Sequence, residues 1–312
     1  DWGSAWDVTV QQPSAVLATV TLSTPRDGRY LHAAIRVTLR AGIAAFEVEP
    51  MLTNTSSQTL AFNFWQTAML APGSGKQPSN QLHFVLPGNQ MTVHSTGNAT
   101  LPQPGQTFAW PLYKERDLSR LGHWQQYLGF FEAPAAHGPF VGVYDPVYDA
   151  GAVRIFPAEI ARGSKVFALG WSDTLTSNNY ADDDSRYVEL HGGLAPTFND
   201  QVRLLPNQSI TWQERWYPVH GMGDLTFANA VGALAVQQDD TGLHISFYPT
   251  QPVQGTLIVY VDEQEQARQP IQLQPGASFG TLIRMNKQSP GKLSIQIEDI
   301  AGRLLFTYTA KN

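Results

Sequence analysis

Apolar and polar residues alternate with a period of two along most of the chain, the spacing that gives a β-strand one buried and one solvent-facing side. Val16, Ala18, Val20 and Leu22 follow it, as do Leu31, Ala33, Ile35, Val37 and Leu39, and then Ala44, Phe46 and Val48. Turn signals at Arg26-Asp27-Gly28 and Ala41-Gly42 separate these runs. The same rhythm predicts strands over 58–71, 82–95, 139–145, 151–157, 164–171, 186–193 and 209–217. One segment reads differently. Asp117-Leu118-Ser119 leads into 120–131, where Leu121, Trp124, Leu128 and Phe131 recur at three- and four-residue spacing, predicting a short helix capped by Asp117. Many strands and one short helix predict an all-β layered fold.

A second unit is expected from Leu225 onward. All 8 tryptophans lie at or before Trp216. Beyond them, strands are predicted near 243–248, 256–262, 269–273, 279–285, 292–298 and 303–309. Turns fall at Asp240-Thr241-Gly242, Pro275-Gly276, Pro290-Gly291 and Ala301-Gly302. That turn frequency is the mark of a small immunoglobulin-like β-sandwich. The expected division is therefore 1–222 and 225–312, with Gly221-Met222-Gly223-Asp224 as a hinge open to proteolysis.

Composition narrows the class. With 42% hydrophobic and 15% charged residues, the chain has enough apolar material for a sizeable core and too few charges for a disordered one. A formal net charge of -6 argues against binding nucleic acid through its phosphates. No apolar run approaches the length of a membrane-spanning helix. The absence of cysteine removes disulfides, thiol catalysis and Cys-ligated zinc, and leaves the compartment open, an extracytoplasmic one slightly favoured. The chain begins Asp1-Trp2-Gly3, with neither an initiator Met nor a leader, the look of a processed or excised chain. Sequons at Asn54, Asn98 and Asn207 read as chance occurrences.

Candidate chemistry is concentrated in 60–220. Asn63 and Trp65, and likewise Trp212, Glu214 and Trp216, share a strand face by alternation. Trp with carboxylate makes a poor core, because an unpaired buried carboxylate is costly, but a reasonable sugar-binding face. Trp110, Trp171 and His94 extend this aromatic and polar set, which is expected to line a cleft on a concave sheet. Glu189 is the most suggestive acid, sharing its face with Tyr187 and His191; the alternative is a salt bridge to Arg186, Arg203 or Arg215. A second acid or proton donor would come from Glu214, Asp145, His191 or His94. Histidine spacing does not suggest a metal site, and Asp182-Asp183-Asp184 reads as a solvated loop rather than a calcium site. No Walker loop, nucleophile elbow or dinucleotide fingerprint is present, so no cofactor is expected.

These residues carry a resemblance. Leu52-Thr53-Asn54 followed by 60–70, then Tyr187-Val188-Glu189, Leu204-Leu205-Pro206-Asn207-Gln208 and 210–217, resemble the galactose-mutarotase-like (aldose 1-epimerase-like) β-supersandwich superfamily. Trp110-Pro111, Asp117-Leu118-Ser119, Gly142-Val143-Tyr144-Asp145, Gly170-Trp171 and Glu214-Arg215-Trp216-Tyr217-Pro218-Val219 are similar to a bacterial branch of it, over roughly 8–222. The resemblance implies a supersandwich, a mono- or oligosaccharide ligand, and Glu189 as the base of an epimerase-like reaction. It also implies a histidine around 62–67, where this chain has Asn63, Trp65 and Gln66. Three functions follow as expectations: a carbohydrate-active isomerase or glycoside hydrolase, a non-catalytic glycan-binding module, or a surface-assembly protein in an oligomer or longer multidomain chain.

Overall fold

The computed structural model describes residues 5–25, 31–73, 77–170, 185–284 and 291–310. Asp1-Trp2-Gly3, the turn at Arg26-Asp27-Gly28, Trp171, the run Asp182-Asp183-Asp184 and Pro290 lie outside them.

The described residues form an all-β chain of four large antiparallel sheets and two two-stranded ribbons, Leu112–Tyr113 with Arg116–Asp117 and Leu60–Phe62 with Val202–Leu204. A nine-stranded sheet runs in the order Asp7–Ser14, Leu17–Ser23, Leu31–Arg40, Phe46–Asn54, Glu214–His220, Ala150–Ile155, Phe140–Asp145 and His83–Val85, with Ser209–Thr211 also paired to Phe46–Asn54. A six-stranded sheet packs on one of its faces, ordered Trp65–Leu70, Val188–Gly193, Gly163–Ala168, Leu128–Glu132, Gln90–Thr96 and Thr107–Ala109. Two four-stranded sheets complete the stack. One holds Phe227–Ala228, Gly232–Asp239, Gly242–Pro249 and Phe279–Ile283; the other holds Gln264–Leu273, Val253–Val261, Leu293–Asp299 and Leu304–Thr309.

Alternation assigns side chains to the layers. In Glu214–His220, Glu214 and Trp216 point toward the six-stranded sheet, while Tyr217 and Val219 point the other way. In Gly232–Asp239, Ala233 and Ala235 meet Tyr217 and Val219, while Leu234 and Val236 enter the last core. Around Glu214–His220 the nine-stranded sheet is thus covered on both faces, whereas its edge strand Asp7–Ser14 is exposed.

The segment Gly221-Met222-Gly223-Asp224, expected as a hinge, takes part in this packing. Met222 and Leu225 are buried in the shared cluster. The Asp149 carboxylate accepts from the Met222 and Gly223 amides at 3.1 and 2.7 Å, and from the Tyr144 hydroxyl. Asp224 in turn pairs with His83 at 2.8 Å.

The expected helix over 120–131 is also replaced. A single 3-10 turn, Leu121–His123, buries Leu121, and strand Leu128–Glu132 follows. Trp124 is buried by stacking on Phe84, so tertiary packing rather than a helical face explains the spacing. Asp117 does cap the turn before it, accepting from Ser119 N and Oγ at 2.9 and 2.6 Å. Two of the sequon asparagines, Asn54 and Asn98, are buried with their side chains in hydrogen bonds. Among the described residues no helix is long and apolar enough to cross a membrane.

The space between the two large sheets holds an ion pair. Arg154 Nε and Nη2 donate to Glu214 at 2.7 and 2.6 Å, both side chains fully buried. The indoles of Trp212 and Trp216 and the amide of Gln66 donate to the same carboxylate at 2.9, 3.2 and 3.1 Å. Burial pushes the Glu214 pKa up, but the Arg154 charge and these bonds outweigh it and hold the carboxyl below its usual range. Glu132 lies in the same interior and accepts from Gly88 N at 3.3 Å. Here burial wins over Ser164, nearby amides and Arg154, and raises its pKa to about 7.

Removing the cation alone strands a buried charge. Arg154→Met is expected to cost about 3–5 kcal/mol in urea denaturation, and Arg154→Met/Glu214→Leu much less. Glu132 binds its proton more tightly folded than unfolded. Its contribution is therefore complete below pH 4.5 and lost as pH rises through about 7. That loss amounts to about 3 kcal/mol at 1.36 kcal/mol per pKa unit. Denaturation of Glu132→Gln should lack this component of the decline between pH 5 and 8.

Candidate functional site

The strand Val188–Gly193 carries different chemistry on its two faces. Val188 and Leu190 enter the core between the large sheets, and Gly192 lies against Arg154. Glu189, His191 and Gly193 face outward. The two glycines serve opposite faces. A Cβ on Gly192 would sit 2.1 Å from the Arg154 guanidinium, and one on Gly193 would sit 2.4 Å from the Trp65 indole. Gly163, paired with Gly193, is bare for the same reason: its Cβ would meet Trp65 at 2.4 Å.

Register then builds the outward face. His191 pairs with Lys165 on one side and Thr67 on the other; Glu189 pairs with Phe167 and Met69; Lys165 pairs with Phe131. Their polar heads converge. Glu189 Oε2 lies 2.7 Å from His191 Nε2, and Lys165 Nζ lies 3.0 Å from that same nitrogen. Thr67 Oγ1 is 2.9 Å from His191 Nδ1. The Glu189 side chain keeps 13% exposure, whereas Lys165 is buried.

Aromatic rings surround this group. Phe198 is held by Asn63, whose side-chain amide donates to its carbonyl at 2.7 Å. Its ring stands edge-on to Trp65, His94 and Phe131, with centroids 4.7, 5.0 and 5.1 Å apart, and lies 5.1 Å from the Lys165 ammonium. The surroundings set the charges. Burial, helped by Lys165, lowers the pKa of both His94 and His191, with His191 adding to the effect at His94 and Arg154 at His191; the Glu189 bond partly opposes this at His191. Burial also lowers Lys165 to about 8, against the pull of Glu189.

Not all the expected residues meet here. Glu189, His191, Asn63, Trp65 and His94 do. Glu214 and Trp212 do not: they were expected on an open face, but Arg154 supplies the partner that makes their face a core. Asp145 is buried in the nine-stranded sheet, accepting from Ser79 N and Oγ at 2.5 and 2.7 Å and Val147 N at 3.1 Å. Trp110 packs on Phe130 in the main core. The hydrogen-bond partner of Glu189 is His191, and Arg215, one of the arginines of the alternative reading, pairs with Glu47 at 3.2 Å. The sequence did not point to Lys165, Thr67 or Phe198, and it pointed to Phe131 only through the helical spacing over 120–131. Alternation does place Gly163, Lys165 and Phe167 together, but Phe198 sits in a connection without periodicity. A separate cavity of about 670 Å³, lined in part by Glu159, Arg162, Leu194, Asp200 and Ile210, lies outside this group. Among the described residues no cluster of three or more His, Asp or Glu forms a metal site.

No protein-family model matches the chain, and no curated protein matches its sequence. Solved structures do. A TPR-domain containing protein from Parabacteroides distasonis aligns with 69% of this chain at 17% identity and a TM-score of 0.56, and the chain covers 34% of that protein's length. A galactose 1-epimerase from Lactobacillus acidophilus aligns with 69% of this chain and 67% of its own at 12% identity, TM-score 0.48. A galactose mutarotase-like protein from Clostridium acetobutylicum aligns with 70% and 67%, also at 12% identity, TM-score 0.47. At these identities the likeness is one of fold.

The hydrogen-bonded trio makes the His191 imidazole a reporter. Its ¹⁵N resonances are expected to titrate below the ordinary histidine value of about 6.5. Glu189→Gln should lower the midpoint further, since the carboxylate favours the charged ring, and Lys165→Met should raise it.

Proposed function

We propose that the outward face of the six-stranded sheet, within the unit spanning 1–222, binds a sugar, and that Glu189 acts there as a general base at the anomeric hydroxyl. One observation carries the reading: Glu189 is partly open, oriented by His191 at 2.7 Å, and set among the rings of Trp65, Phe131, Phe198 and His94. Aromatic faces suit the C–H faces of pyranoses, while carboxylate, ammonium and imidazole suit their hydroxyls. A carboxylate held in one orientation is suited to opening the ring of an aldose. The sequence resemblance to the mutarotase-like superfamily supports the same substrate class. In this reading the unit spanning 225–312 is a support that packs against the nine-stranded sheet away from the site.

The second reading is a glycan-binding module without turnover. The Phe198 ring favours it, because it lies over Lys165 and beside His191 and so occupies part of the face.

Polarimetry and anomeric-exchange NMR on D-glucose, D-galactose and a panel of other reducing monosaccharides test both. Accelerated exchange that drops about 100-fold or more in Glu189→Gln, with little change in Tm, is expected for a general base. Binding without acceleration supports the module, and neither binding nor exchange with any sugar overturns the assignment.

A further inference from the structure

Ring opening needs a proton for the ring oxygen as well as a base for the anomeric hydroxyl, and those two oxygens sit on the same carbon. The acid must therefore lie close beside Glu189. Resting on the reading above, we propose that Lys165 is that acid, donating from Nζ to the ring oxygen while Glu189 accepts from the anomeric hydroxyl.

The geometry points to Lys165 by position and by charge. Glu189 Oε2 and Lys165 Nζ both touch His191 Nε2, at 2.7 and 3.0 Å, so carboxylate and ammonium flank one point on the sheet face. That nitrogen cannot serve both. With a hydrogen it donates to Glu189, and without one it accepts from Lys165. Nδ1 is taken up by Thr67 Oγ1. His191 is thus spent on orienting its neighbours, and burial keeps it neutral. His94 stands 5.0 Å from Phe198, bonded to Ser95 Oγ at 3.2 Å, and is likewise kept neutral by burial and by the Lys165 charge. Lys165 remains as the protonated group that the face presents beside Glu189. Its ammonium lies 5.1 and 5.2 Å from the Phe198 and Phe167 rings, which stabilise the cation without competing for its hydrogens as carboxylates would. Burial brings its pKa down to about 8, within reach of neutral-pH proton transfer.

The step balances. Glu189 takes the anomeric hydroxyl proton, the bond from C1 to the ring oxygen breaks as C1 becomes a carbonyl, and the released electron pair takes a proton from Lys165. This leaves a protonated carboxyl, a neutral amine and the open-chain aldehyde. Rotation about C1–C2 and the reverse transfers close the opposite anomer and restore both groups.

The test is the pH profile of anomeric exchange on the sugar that the wild-type chain turns over fastest. Because the acid must be protonated, the wild-type rate should fall as pH rises through about 8. Lys165→Met should lose about 100-fold in kcat with sugar binding retained. Lys165→Arg should keep part of the rate and lose the basic limb near 8, since a guanidinium stays charged. If Lys165→Met does not fold, the Lys165→Arg profile decides: an unmoved basic limb overturns the assignment. So does a folded Lys165→Met with the wild-type rate and limb, which leaves Lys165 a purely structural cation. A wild-type chain with no exchange at any pH sinks the sugar-isomerising reading and this role together, whereas an active wild type with an indifferent Lys165 sinks this role alone.

Discussion

The ion pair between Arg154 and Glu214 is the constraint on which the rest of the first two sheets depends. Two charges withdrawn from water are tolerated only where their desolvation is offset by near-complete hydrogen bonding. Here the carboxylate takes donors from Arg154, Trp212, Trp216 and Gln66. Gln66 belongs to the six-stranded sheet and the others to the nine-stranded side, so the pair fixes the sheets against each other as well as satisfying itself. It also demands room, which Gly192 supplies by having no side chain. The next residue back, His191, must then point outward. Interior clamp and exterior chemistry are two sides of one strand.

That coupling explains what could be read from the sequence and what could not. Strands such as Leu31–Arg40 and Val188–Gly193 were legible because their pattern is local. Glu189 and His191 were legible as a pair for the same reason. Trp212, Glu214 and Trp216 were correctly placed on one face, but the pattern does not say which face is covered. Their partner, Arg154, lies 60 residues from Glu214, and only the fold brings it there. The helical spacing over 120–131 failed similarly: Trp124 is buried by Phe84 in another part of the chain, so its position reports a tertiary contact. Phe198 carried no signal at all, since its place is set by the bond from Asn63 and by ring contacts with Trp65, His94 and Phe131 from other parts of the chain.

The site brings one carboxylate, one ammonium and two neutral imidazoles into a partly dry aromatic setting. In such surroundings charges interact more strongly than in water, and each protonation state depends on its neighbours. Burial, reinforced by the Lys165 charge, holds His94 and His191 neutral, and Glu189 pulls against both at His191. Changing any one of the four alters its neighbours, so single substitutions here report on the group rather than on one residue.

Asp149 has a mechanical consequence. By gathering Tyr144, Met222 and Gly223 around one carboxylate, above a buried seam that includes Tyr217, Ala233 and Tyr248, it removes slack from the crossing between the second and third layers. A pull or twist applied at the strand Leu304–Thr309 would travel into the sheet behind the six-stranded one as through a beam, not a tether.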